Sequence, residues 1–130
     1  MKSNSRHKLE KGCLIKLSGS YLRFDRKKKK LLFPGVIKDF FIKRVANDNE
    51  FHSHDDHKEE SLVGYWFVCE NENAPFLYLD YWSIPLGKKT HGADPIIEHH
   101  FRVLFEEKML DLIFVTEMGF SAPELFEVIQ

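Results

Sequence analysis

Phe76-Leu77-Tyr78-Leu79-Asp80-Tyr81-Trp82 places four aromatic side chains in seven residues. A chain containing such a segment must supply a sheet for it to join. Leu62 to Cys69, similarly rich in aromatic and branched residues, precedes it across the polar stretch Glu70-Asn71-Glu72-Asn73-Ala74-Pro75, so the two read as a hairpin. Strand alternation puts Phe76, Tyr78, Asp80 and Trp82 on one face and Leu77, Leu79 and Tyr81 on the other. Trp66 or Phe67, with Leu77 and Leu79, are the expected core. Trp82, beside the Pro/Gly loop 84–93, is the expected anchor of an interface, since Tyr and Trp suit such positions.

Elsewhere the periodicity changes. Cys13-Leu14-Ile15-Lys16-Leu17 and Tyr21-Leu22-Arg23-Phe24 are short strand candidates around the turn Ser18-Gly19-Ser20. After Pro34-Gly35, the residues Val36, Ile37, Phe40, Phe41 and Val45 form one stripe of a helix over 35–46. Asp94-Pro95 is a helix start, followed by Ile97, Phe101, Leu104 and Phe105 on one side of a helix over 95–109, with a strand over 101–105 as the alternative. Leu110 to Thr116 reads as a buried strand. Ser121-Ala122-Pro123-Glu124 opens a terminal helix. The expectation is one α+β domain over 11–130, a mixed or antiparallel sheet with about three helices, behind a flexible tail over 1–10.

Composition narrows the function classes. At 43% apolar and 30% charged, the 130 residues suit one globular domain. Nineteen basic against twenty acidic residues argue against a general nucleic-acid or anionic-membrane binder. Cys13 and Cys69 lack metal-ligand spacing and read as buried thiols of a reducing compartment. The polar N-terminus has no signal-peptide core, and the longest apolar run, Tyr65 to Cys69, is far shorter than a membrane span. The chain reads as cytoplasmic.

Among ligand-type residues, the loop 46–61 stands out. His52-Ser53-His54-Asp55-Asp56-His57 matches, letter for letter, the H-x-H-x-D-H pattern of the metallo-β-lactamase superfamily. That resemblance implies a metal-dependent hydrolase with Zn²⁺ held by His52, His54, Asp56 and His57. In that family the motif follows a buried strand and is completed by a second αβ half. Here Ala46-Asn47-Asp48-Asn49-Glu50 and Lys58-Glu59-Glu60-Ser61 flank it, a solvated loop by composition. On extended backbone His57 also faces away from His52 and His54. The hydrolase is therefore the alternative reading. The leading one makes Asp48, Glu50, His52, His54, Asp55, Asp56 and His57 a contact surface whose charge changes near neutral pH.

Arg26-Lys27-Lys28-Lys29-Lys30 could hold phosphates, but no aromatic residues interleave it for base stacking. Nucleic-acid binding through it is a further alternative. No Gly-x-Ser-x-Gly surrounds Ser18 or Ser20, and Cys69 lies in an apolar run that keeps a thiol inert. His99 and His100 are adjacent, so on a helix they diverge and cannot readily share a ligand. No catalytic set emerges.

Leu32-Phe33-Pro34-Gly35-Val36-Ile37-Lys38-Asp39-Phe40-Phe41-Ile42-Lys43 resembles the Leu-Pro-x-x-Tyr-x-x-Phe-Leu helix that opens SUKH-superfamily proteins. Glu70 to Asp80 resembles the polar turn and strand of that fold, and Ser121 to Ile129 its closing helix. The likeness covers about half the chain, and Ala46-Asn47-Asp48-Asn49 stands where the family has Asn-Gly-Gly. It implies a non-catalytic immunity protein that neutralises a toxin by direct binding. The combined expectation is a small protein-binding module without a cofactor. Its contact surface is loop 47–60 together with Tyr78, Asp80 and Trp82.

Overall fold

The computed structural model describes residues 9–45, 64, 66–87 and 95–129. Its strands are β1 (Leu14–Leu17), β2 (Arg23–Asp25), β3 (Lys30–Leu32), β4 (Ile37–Arg44), β5 (Phe76–Gly87), β6 (Ile96–Phe105), β7 (Lys108–Glu117) and β8 (Phe126–Ile129). Six of them form a curled antiparallel sheet in the order β4-β7-β6-β5-β1-β8, and β2 pairs with β3 alone. A short helix at 66–71 and a 3-10 turn at Ala122–Leu125 complete the described elements. The expected α+β fold with about three helices is thus corrected to a nearly all-β one.

Each misread helix has a physical cause. In β4 the pairing with β7 shifts between Ile37 and Asp39, a β-bulge that advances the alternation by one residue. Beyond the bulge Phe40 and Ile42 enter the main core, whereas Phe41 joins a second cluster with Ile113 and Val115. A bulge plus burial on both faces produces apolar residues at helical spacing. In β6 the inward positions are His99, Phe101, Val103 and Phe105, and a polar residue in that row hides the period of two. β6 then turns directly into β7 through Glu106 and Glu107, with φ of 48° and 68°. Both are in the left-handed region that a two-residue hairpin turn of type I′ requires. Asn-Gly is the usual signal there, and Glu-Glu carries none.

At the C-terminus, Ser121 makes no side-chain cap bond, and the 3-10 turn hands over to β8 within four residues. β8 is then held along its length by β1, from Leu17↔Phe126 to Leu14↔Ile129. The segment expected as the first strand of the central hairpin is instead helical at 66–71. Gly64 and Val68 are buried four residues apart, and Phe67 stacks on Phe76 at 5.5 Å. A Cβ on Gly64 would stand 3.2 Å from the Cα of Phe41, so the close crossing of β4 leaves little room for a side chain there.

The core is dominated by phenylalanine. Phe76, Phe101, Phe114 and Phe126 are fully enclosed, with Phe101 edge-on to Phe126 at 4.6 Å and Phe114 edge-on to the same ring at 5.8 Å. Leu77 and Leu79, expected in this core, are only half-buried, and their places are taken by Phe76 and Tyr78. Phe67 packs against the core while Trp66 is 58% exposed. Leu9 also packs there, and residues 1–8 of the expected tail lie outside the described residues. Cys13 and Cys69 are unpaired and half-buried, not enclosed. Among the described residues no helix is long and apolar enough to cross a membrane.

Candidate functional site on the outer face of the sheet

The register of β5, β6, β7 and β4 sets three rows on the face turned away from the main core. Asp80, Arg102, Asp111 and Lys43 form the first, and Trp82, His100, Ile113 and Phe41 the second. Ile84, Glu98, Val115 and Asp39 form the third. Cross-strand neighbours of this kind stand near enough to interact directly. The apolar end of the patch is Phe41, Ile113 and Val115, all buried. The polar and aromatic end is accessible.

Arg102 organises that end. Its Nε and a terminal nitrogen donate to the two Asp111 oxygens at 2.8 and 3.0 Å. The carboxylate raises the guanidinium's pKa, chiefly through those hydrogen bonds. The same guanidinium lies 5.0 Å from the centroid of the Trp82 ring, within cation–π range. Trp82 stacks almost parallel on His100 at 5.2 Å, and His100 Nε2 is 2.7 Å from Glu98 Oε1. Asp80 pairs with Lys11 at 3.1 Å. The backbone N–H of Tyr81 is the main reason its carboxyl titrates below the usual range, with Lys11 second. Such an arrangement holds an aromatic plane rigid amid charges already partnered. It suits recognition more than proton transfer.

The sequence placed Phe76, Tyr78, Asp80 and Trp82 on one face, and the structure divides them. The β5–β6 register shifts between Tyr78 and Asp80, so Phe76 and Tyr78 enter the core, whereas Asp80 and Trp82 reach the outer face. Tyr78 is 6% exposed, and burial raises its pKa. Beyond Trp82, Ile84 and Leu86 are 42% and 38% exposed along the same strand. Among the described residues β1 pairs with β5 only near Phe76 and Leu77, which leaves this stretch an open sheet edge. Pro85 sits in it, where proline's missing N–H discourages pairing with another strand.

Sequence reasoning missed Glu98, His100, Arg102 and Asp111. Reading 95–109 as a helix scattered residues that alternation gathers on one side of β6. His99 and His100 fall on opposite faces. His99 is 3% exposed and bridges Tyr81 Oη at 2.8 Å and Thr116 Oγ1 at 3.0 Å. The Thr116 hydroxyl donates to the Glu117 carbonyl, so it accepts from His99 Nε2. In the neutral ring that burial favours, Nδ1 then accepts from the Tyr81 hydroxyl. Burial pushes the His99 pKa down, with His100 adding to the effect.

The other predicted site residues, Asp48, Glu50, His52, His54, Asp55, Asp56 and His57, lie outside the described residues, and so does the proposed metal set among them. Among the described residues no group of three or more His, Cys, Asp or Glu side chains is arranged to hold a metal ion. Comparison with protein-family models, curated proteins and solved structures returned no match.

Proposed function

We propose that the protein is a non-catalytic protein-binding module whose partner docks on the outer face around Trp82. The supporting observation is a tryptophan in contact with both Arg102 and His100, with exposed Ile84 and Leu86 next along the strand. Trp and Arg dominate the energetics of protein interfaces when a rigid scaffold presents them beside apolar surface. The partnered state of Arg102, His100 and Asp80 favours binding over catalysis. A toxin-neutralising immunity protein, as the SUKH resemblance implies, is the specific form of this reading.

Affinity capture from the native host at physiological salt, with wild type and Trp82→Ala side by side, tests it. A protein retained by wild type and lost by Trp82→Ala supports the reading. No captured protein, or an identical set from both, rejects it. If the captured protein is a toxin, coexpression of the chain restores growth of cells producing that toxin.

A further inference from the structure

The β2–β3 hairpin carries a second surface, independent of the Trp82 face. Asp25 pairs with Lys30, so Arg26 to Lys29 form its turn, and all five residues from Arg26 to Lys30 are exposed. The turn is held in shape by Asp25, whose Oδ1 accepts from the backbone N–H groups of Lys27 and Lys28 at 3.0 and 3.1 Å. Lys29 closes it with a φ of 55°. Arg26 is used internally, donating to the Cys69 carbonyl at 3.3 Å. Among the described residues Lys27, Lys28, Lys29 and Lys30 have no ion-pair partner. Four exposed ammonium groups on one shaped turn concentrate positive charge at a single point of the surface.

The hairpin also has two distinct faces. Phe24 and Leu31 pack toward the main core. Arg23 pairs with Leu32 on the other face, the face that Lys30 shares by alternation. At this end the hairpin opens into a cleft of about 510 Å³ lined by Gly19, Ser20, Arg23, Leu32, Phe33 and Pro34. One cation and three apolar side chains therefore border a concavity roughly 7–10 Å along the strand from the lysine turn, at the usual rise per residue.

We infer that this hairpin is a docking site for an acidic peptide segment bearing one apolar side chain. Carboxylates lie along Arg23, Lys30 and the lysine turn, and the apolar side chain enters the cleft against Leu32 and Phe33. The run has no interleaved aromatic residue to stack bases, which favours a peptide over a nucleic acid, and the charge balance favours a short one. Without the five cations of the run, the chain carries 14 basic and 20 acidic residues, a field that opposes a polyphosphate approaching along its length. A short acidic segment meets only the basic arm.

Fluorescence anisotropy on the full chain, with a fluorescein-labelled Glu-rich peptide containing a single Leu, tests the assignment. The peptide binds at physiological salt, and its affinity falls as salt rises. Lys27→Glu/Lys28→Glu and Arg23→Glu, all at exposed positions, each weaken it by about tenfold or more, about 1.4 kcal/mol. Replacing the Leu of the peptide by Ser weakens it severalfold. Trp82→Ala leaves it unchanged, which separates this surface from the one proposed above. Lys27→Gln/Lys28→Gln, with the charge removed and not reversed, gives an intermediate loss. The inference is overturned by affinity that survives the charge reversals. It is equally overturned if a single-stranded oligonucleotide of matching charge binds as tightly as the peptide, which would make the arm a phosphate-binding surface.

Discussion

Arg102 and Asp111 form a two-pronged ion pair across β6 and β7, at 2.8 and 3.0 Å, on the face turned away from the main core. The Asp111 side chain is 8% exposed and that of Arg102 is 34% exposed. Removal of the arginine strands a buried carboxylate, which costs about 3–5 kcal/mol when a pair is fully enclosed. Solvent screens the partly exposed arginine, so the expected loss for Arg102→Ala is about 2 kcal/mol. The double substitution Arg102→Met/Asp111→Leu should recover most of it, since no charge is left unpaired. Urea unfolding of Arg102→Met, Asp111→Leu and the double variant measures the coupling. Additive losses would show that the pair contributes nothing to stability.

Trp82 and Phe101 provide the contrast between surface and core on neighbouring strands. Phe101 is 1% exposed and touches Phe114, Phe126, Tyr78 and Tyr81, so Phe101→Ala is expected to destabilise by about 3–5 kcal/mol. Trp82 has one face on His100 and lies on the outer row, and Trp82→Ala should lower stability by clearly less. Its larger effect should be on partner affinity, about 2 kcal/mol or more. Thermal unfolding and calorimetric titration of the captured partner separate these effects. If Trp82→Ala unfolds as readily as Phe101→Ala, Trp82 is a core residue.

The legible parts of the sequence were those where a single rule governs the segment. Phe76 to Trp82 is a strand because its composition favours nothing else, and Leu110 to Thr116 is one because it is apolar on both faces. The illegible parts each contain two superposed rules. The bulge in β4 and the buried His99 in β6 both disguise a period of two as something close to 3.6. The bulge in β5 parts Asp80 and Trp82 from Phe76 and Tyr78, with which simple alternation groups them. A helix over 95–109 hides Arg102 and His100 as neighbours of Trp82, because that adjacency exists only across a sheet.

The β6–β7 turn is strained by its own residues. Left-handed backbone costs a residue with a side chain about 1–2 kcal/mol, and Glu106 and Glu107 both adopt it. Glu106→Asn/Glu107→Gly supplies the favoured type I′ pair. Glycine's extra freedom in the unfolded chain offsets about 0.5–1 kcal/mol of the relief. The expected net gain is about 1 kcal/mol, read as a higher urea midpoint at unchanged slope. A lower midpoint would mean that the glutamates make a compensating interaction.

His99 should make stability depend on pH in a definite direction. It is held neutral, accepting from Tyr81 and donating to Thr116, and protonation would place a second donor against the Tyr81 hydroxyl. Burial, with His100 adding, depresses its folded pKa below the ordinary value of 6.5. Between those two values the unfolded chain binds more protons than the folded one, and stability therefore rises with pH. The contribution of His99 is fully present above about pH 6.5 and is lost as pH falls from there through the folded value. His99→Gln retains a donor toward Thr116 and cannot titrate. Urea unfolding of wild type and His99→Gln across this window should give a steeper decline with acidity for wild type. The chain's other six histidines are common to both proteins and cancel in the comparison. Parallel declines would show that His99 takes up its proton inside the fold as readily as in the unfolded chain, and that the Tyr81–His99–Thr116 bridge does not enforce neutrality.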